Sequence, residues 1–173
     1  EDPHAAEIPE IVLDYFFLGE ENEVQPNLVL KDRKSEAYYA ATVDKKTSSY
    51  TSALIAGAIQ EMGYKRLLMK SDNEPVMLKL KAQVSQCLPG VEIVPKEAPV
   101  GDSRANSAAE NAVKLLKGHF RTLKTATEDR YGCKLDAKSP LVSWIPRHCA
   151  DILTRFRRYA DGRTAVQRLT GRH

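Results

Sequence analysis

The stretch Ile11-Val12-Leu13-Asp14-Tyr15-Phe16-Phe17-Leu18 is apolar except for one acid, which predicts a strand covered on both faces. Leu28-Val29-Leu30, the polar turn Asp32-Arg33-Lys34-Ser35 and the extended stretch from Ala37 to Val43 predict a hairpin over residues 28–43. From Thr51 to Met62 the period changes. Leu54, Ile55, Ala58, Ile59 and Met62 share one helical face, Ser48, Ser49 and Thr51 offer caps upstream, and Gly63 is placed to end the helix. Arg66 to Ser71 predicts another strand, closed by Asp72. Pro75 suits the first turn of a helix that runs to about Leu88 and stops at Pro89-Gly90. Val91 to Val94 is short and β-rich, and Pro95 to Ser103 predicts a loop. Arg104 to Tyr131 is helical again, with Ala109, Val113, Leu116, Phe120 and Leu123 on one side. Pro140 opens a helix to about Arg158 with Ile145, Cys149, Ile152, Leu153 and Phe156 as its apolar stripe. Asp161-Gly162 breaks the chain before a last short helix from Thr164 to Leu169.

The order β-β-β-α-β-α-β-α-α-(α) implies one mixed sheet with helices on both faces, an α/β domain spanning residues 1–173. The length, 173 residues, and the 42% apolar content suit one such core and argue against disorder. No apolar run reaches membrane-spanning length, and the polar start Glu1-Asp2-Pro3-His4 has no signal-peptide pattern. Cys87, Cys133 and Cys149 are too few and too scattered for a disulfide framework or a CxxC zinc site. A soluble, intracellular protein with no membrane partner is expected.

Charge changes the picture once it is divided along the chain. Residues 1–100 carry 11 Lys and Arg against 16 Asp and Glu, and residues 101–173 carry 15 against 7. The net values, −5 and +8, are hidden in a total of +3. A basic second half fits a polyanionic partner, and it fits equally a set of solvated helix faces.

Three acids stand out. Asp14 interrupts the most apolar strand, where a carboxylate is costly unless hydrogen-bonded, paired or metal-bound; a solvent-facing strand end or a Lys partner would also account for it. Asp72 closes a strand just before a helix, the place where open α/β sheets bind ligands, and equally the place for a helix cap. Glu110 lies near the start of a long helix, where the positive helix end favours any acid. If the strands of Asp14 and Asp72 are neighbours, a helix crossing their shared edge could bring Glu110 to both. Carboxylates 4 Å apart repel by about 4 kcal/mol per pair at an effective dielectric near 20. Divalent cations make such a cluster tenable, and hard oxygen ligands favour Mg²⁺ or Mn²⁺ over zinc. Two ions would clamp the attacking and leaving oxygens of a phosphodiester.

The segments Val12-Leu13-Asp14-Tyr15, Lys70-Ser71-Asp72-Asn73 and Asn106-Ser107-Ala108-Ala109-Glu110-Asn111-Ala112-Val113-Lys114 resemble the D-D-E catalytic core of retroviral and retrotransposon integrases. The resemblance runs from about residue 10 to Asp161-Gly162-Arg163-Thr164. Thirty-seven residues separate Asp72 from Glu110, against about 35 in the family motif. It implies an RNase H-like fold, a five-stranded mixed sheet of three antiparallel strands followed by two parallel ones. It further implies Asp14, Asp72 and Glu110 as catalytic metal ligands for two Mg²⁺ or Mn²⁺ ions. The implied activity is DNA 3′-end processing and strand transfer, with element and target DNA as partners. A homodimer or higher oligomer is implied too, in the nucleus or in a cytoplasmic particle before nuclear entry. The chain departs from the family at Glu74, where Gly is usual, and at Ala165, where Pro is usual. It has no His-His-Cys-Cys zinc module and no C-terminal barrel, as expected of a core excised from a longer polyprotein. A ribonuclease H-type nuclease and a non-catalytic DNA-binding module descended from an integrase remain rival readings.

Lys114 and Lys117 stand four and seven residues after Glu110, on the same helical stripe. There they suit substrate phosphates, although an ordinary Glu110–Lys114 helix pair would use the same spacing. The resemblance implies DNA contact for both lysines, and for Asn106 one turn before Glu110. Trp144 reads as core or oligomer interface, and His119 as helix surface. His148 and Cys149, being adjacent, do not form a nucleophile–base pair. No Gly-rich phosphate loop is present, which speaks against nucleoside triphosphate hydrolysis.

Overall fold

A computed structural model describes residues 8–19, 25–97 and 107–171. In chain order its elements are β1 (Glu10–Phe16), β2 (Asn27–Asp32), β3 (Tyr38–Thr42), α1 (Ser49–Met62), β4 (Arg66–Ser71), α2 (Pro75–Cys87), β5 (Glu92–Glu97), α3 (Ser107–Tyr131), α4 (Pro140–Phe156) and α5 (Ala165–Thr170). The strands form one sheet in the order β3-β2-β1-β4-β5, so the apolar run around Asp14 is the central strand. β1 pairs antiparallel with β2, as β2 does with β3, whereas β1–β4 and β4–β5 are parallel. This is the mixed sheet expected from the sequence.

Alternation along β1 divides the two cores. Ile11 and Leu13 point into a cluster with Ile55, Ile59, Leu80 and Val84 of α1 and α2. Phe16 joins the opposite cluster, with Leu116 and Phe120 of α3 and Ile145, Cys149 and Leu153 of α4. Full burial of a Leu, Ile or Phe contributes about 2 kcal/mol, so each face is anchored independently of the other. Asp14 lies in phase with Phe16 and therefore on the α3 side of the sheet.

Local signals set the helix ends. Ser48 caps α1 by accepting the Thr51 N–H, and Gly63 closes it in the left-handed region at φ 73°. Thr164 and Gln167 form a reciprocal capping box on α5.

Three expectations need correcting. β5 continues through Pro95 to Glu97 instead of ending at Val94, because an edge strand tolerates a residue that cannot donate on one side. Phe156, placed on the apolar stripe of α4, is the last residue of that helix and is 73% exposed, whereas Leu153 in the same turn is buried. Trp144 is not core either: it is 50% exposed, and its ring stacks on His148 with centroids 4.5 Å apart.

Candidate active site at the β1–β4 strand ends

The parallel register of β1 and β4 sets the site. Val12 pairs with Lys70 in the last matched position, so Asp14 and Asp72 each stand two residues further along adjoining strands. β4 ends at Ser71, while β1 runs on to Phe16 beside β2 alone. The two carboxylates thus reach the same height where the strands part, at the carboxyl ends of a parallel pair. α3 packs over β1 and β2 on the Asp14 side and carries Glu110 in its first turn.

Neither aspartate is used up by the fold. The expected alternative for Asp72, a helix cap, does not occur: Glu74 is the N-cap residue of α2, and its own side chain makes no capping hydrogen bond. Asp72 Oδ1 is buried without a hydrogen-bond partner. Asp14 accepts a hydrogen bond from the Tyr15 N–H at 2.7 Å. Its carboxyl is pushed up from 3.8 to about 6, mainly by burial and against that hydrogen bond, with the negative charges of Asp72, Glu74 and Glu110 contributing to the rise. Four acids therefore act on one another at this edge. The effect of Glu74 on Asp14 exceeds that of Glu110. Glu74 was noted in the sequence only as a departure; its adjacency to Asp72 is the signal that would have placed it here.

These donors fit a hard divalent cation in chemical type: all are carboxylates, one oxygen is buried and unpartnered, and the central acid is charge-frustrated. Among the described residues, however, no group of three or more His, Cys, Asp or Glu side chains is gathered tightly enough to hold a metal ion. Glu110 is exposed at the start of α3.

Lys114 is exposed and Lys117 partly buried, one and two turns beyond Glu110. No ion pair joins Glu110 to Lys114 among the described residues, so that spacing is not occupied by a helix-supporting pair. The Lys117 ammonium lies 5.8 Å from the centroid of Phe16, two residues past Asp14. Asn106 lies outside the described residues.

A separate groove lies elsewhere. About 610 Å³ in volume, it lies between β3, α1 and α4 and is lined by Tyr39, Tyr50, Leu54, Trp144, Arg147 and Asp151 among others. It contains none of Asp14, Asp72 and Glu110. Among the described residues no helix is long and apolar enough to cross a membrane.

No protein-family model matches the sequence, and no curated protein matches it. Solved structures do. The catalytic core domain of BIV integrase is 16% identical, with a TM-score of 0.63 over 94% of this chain and 93% of that one. The HTLV-2 integrase catalytic core domain in complex with magnesium, in its dimeric form, is 17% identical, with a TM-score of 0.67 over 94% and 98%. A simian T-cell lymphotropic virus intasome in complex with PP2A regulatory subunit B56 gamma contains a chain 14% identical, at a TM-score of 0.70 over 94% of this chain and 55% of that one. The chain has the RNase H-like fold of integrase catalytic cores.

Proposed function

We propose that the chain is the catalytic core of a retroelement integrase, a polynucleotidyl transferase that nicks element DNA near its 3′ ends and joins the new 3′ hydroxyl to target DNA. The observation that carries this reading is the placement of Asp14 and Asp72 at one height on parting parallel strands, with Glu110 acting electrostatically on Asp14, in a fold like that of integrase cores. In this reading Asp14, Asp72 and Glu110 hold two Mg²⁺ or Mn²⁺ ions. When bound, the ions supply Lewis-acid charge neutralisation at the attacking and leaving oxygens.

The chain's own contribution is to position the DNA. Lys114 and Lys117, on the stripe that starts at Glu110, hold phosphates of the reacting strand, and Asn106 contacts the element end. Both reactions are phosphoryl transfers, which depend on alignment and electrostatics and need no covalent enzyme intermediate. The α1–α4 groove, with half-exposed Trp144 and Tyr50 on its walls, is the surface through which copies of the chain pair. Joining element DNA to a chromosome places the working protein in the nucleus.

The test is Mg²⁺- or Mn²⁺-dependent cleavage and joining of labelled duplex DNA by wild type and by Asp14→Asn, Asp72→Asn and Glu110→Gln. Each substitution lowers the rate at least about a thousandfold while circular dichroism stays unchanged, since each loss is worth several kcal/mol of transition-state stabilisation. Wild-type activity in any folded variant removes that residue from the site. A second reading, a DNA-binding module without catalysis, is favoured by the crowding of Glu74 on Asp14 and by the absence of a gathered three-acid group among the described residues. Calorimetric titration with Mn²⁺ separates the two: saturable binding that Asp72→Asn abolishes supports the enzyme, and duplex binding without saturable Mn²⁺ binding supports the module.

A further inference from the structure

Residues 155–163 run from the last turn of α4 to the turn before α5. They hold four arginines, Arg155, Arg157, Arg158 and Arg163, and two aromatic residues, Phe156 and Tyr159. All six are exposed except Tyr159, which is half-buried, and Phe156 is 73% exposed. The one acid of the span, Asp161, is engaged by Arg168, whose Nε and Nη2 donate to its two carboxylate oxygens at 3.1 and 2.9 Å. No ion pair among the described residues engages any of the four arginines, and none joins Arg155 to Asp151 one turn earlier.

The fold holds this surface in one shape. The Tyr159 N–H donates to the Arg163 carbonyl at 3.0 Å and the Gly162 N–H to the Tyr159 carbonyl at 2.9 Å, while Arg158 pairs with Thr164 across the same hairpin. Gly162 makes the turn in the left-handed region at φ 76°, and Arg158 Nη1 donates to its carbonyl at 2.8 Å. The guanidinium groups of Arg157 and Arg168 lie 5.3 and 4.4 Å from the Tyr159 ring centroid. The Tyr159 hydroxyl donates to the Glu36 carbonyl at 3.0 Å and fastens the hairpin to the turn between β2 and β3. That turn is at the end of the sheet away from Asp14, because Asp32 at the end of β2 faces Ile11 near the start of β1. The arginines therefore belong to a different end of the molecule from the acids.

We infer that this arginine–aromatic corner binds an unpaired nucleic-acid strand, at a site separate from the Asp14–Asp72 edge. Guanidinium forks match phosphate oxygens, and a hairpin that is already ordered lowers the cost of presenting them. The exposed Phe156 ring among them offers a face on which an unpaired base stacks. The phosphates of a duplex, or the carboxylates of an acidic peptide, engage the arginines alone and leave that ring unused. Deoxyribose and ribose strands carry the same phosphates and stacking faces, so both suit the corner. The inference goes beyond the DNA-joining reading and does not depend on it.

The experiment measures binding of labelled oligothymidylate and oligouridylate, each of about 20 nucleotides and so longer than one site, to the full chain in EDTA across a salt series. Phe156→Leu is expected to weaken binding of the oligonucleotides about tenfold, to leave binding of a duplex of the same length unchanged, and to be rescued by Phe156→Trp. The side chains of Arg155 and Arg163 make no hydrogen bond among the described residues, so Arg155→Gln with Arg163→Gln removes charge without loosening the hairpin. That pair should flatten the slope of log K against log salt by about 1.4, two single-strand contacts at about 0.7 each. Tyr131→Leu removes another exposed ring with an arginine over it, at the end of α3, and is expected to match wild type. Tighter binding of one oligonucleotide identifies the source of the strand as DNA or RNA. Unchanged affinity in folded Phe156→Leu together with an unchanged slope in the arginine pair overturns the inference. Duplex bound by wild type as tightly as the oligonucleotides overturns it in favour of backbone contact alone, and polyglutamate bound as tightly, in favour of an acidic peptide. The proposed function is read separately, from metal-dependent cleavage of duplex, so either result can fail while the other stands.

Discussion

Asp32 and Asp14 lie near opposite ends of the same strand pair, and their surroundings could hardly differ more. Asp32 faces Ile11 at the start of β1 and is 0% exposed. Its carboxylate accepts from Ser35 Oγ at 2.5 Å, the Tyr64 hydroxyl at 2.6 Å and the Lys34 and Ser35 N–H groups at 3.0 and 3.2 Å. Asp14 accepts from one neighbouring N–H, and its other influences are burial and three further acids. Asp72 beside it has a buried oxygen without a partner. A carboxylate enclosed by donors is finished by the fold and fastens a turn. One enclosed by other carboxylates holds an unmet demand for positive charge. The same residue type therefore stabilises one end of the sheet and gathers negative charge at the other.

Opposite responses to substitution test that contrast. Asp32→Ala leaves the donors of Ser35 and Tyr64 without an acceptor in a buried turn and is expected to destabilise the protein by about 3 kcal/mol, read from the urea midpoint. Equal stability of that variant would erase the distinction between the two ends.

Asp14→Asn acts the other way in metal-free protein. The folded-state pKa of Asp14 is raised from 3.8 to about 6, so its contribution to stability is fully present below about 3.8 and is lost as the pH rises through about 6. An amide removes that loss. After allowance for solvent screening at this partly exposed group, Asp14→Asn is expected to stabilise the metal-free chain by about 1–2 kcal/mol at pH 8. The gain should fade as the pH falls toward 4, as thermal melts in EDTA across pH will show. A destabilised variant at pH 8 would mean that Asp14 has structural partners after all.

The smallest expected effect concerns the end that gathers negative charge. Lys114→Ala combined with Lys117→Ala should flatten the log K against log salt slope for duplex DNA by about 1.8, two phosphate contacts at about 0.9 each. Metal binding should persist, since neither lysine supplies a ligand. An unchanged slope would return both lysines to the solvated surface and leave the +8 of residues 101–173 in need of another partner.

Much of this architecture could be read from the chain, because its signals are local. The apolar run around Asp14 announced a strand covered on both faces, the spacing of Ile55, Ala58, Ile59 and Met62 a helix, and Ser48, Gly63 and Pro75 its boundaries and those of the next one. Asp14, Asp72 and Glu110 were legible as candidates, each for a reason confined to its own few neighbours. Whether Asp72 caps a helix or closes a strand toward a ligand was not, since both readings use the same residue before the same turn.

Tertiary structure decided what depends on residues distant in sequence. The parallel register of β1 against β4 brings Asp14 and Asp72 to one height, and Glu74 takes the cap position that Asp72 leaves. Tyr64, 32 residues from Asp32, turns that acid into a structural fastening. The Tyr15 hydroxyl, next to Asp14, donates to the Lys46 carbonyl 31 residues away. Trp144 and Phe156 are likewise exposed, although helical spacing put Phe156 on the apolar stripe of α4. Periodicity and capping are properties of a few consecutive residues, so the sequence by itself determined the elements. Which carboxylates find donors and which find only one another depends on the strands and loops that come to lie beside them, and folding alone chooses those neighbours.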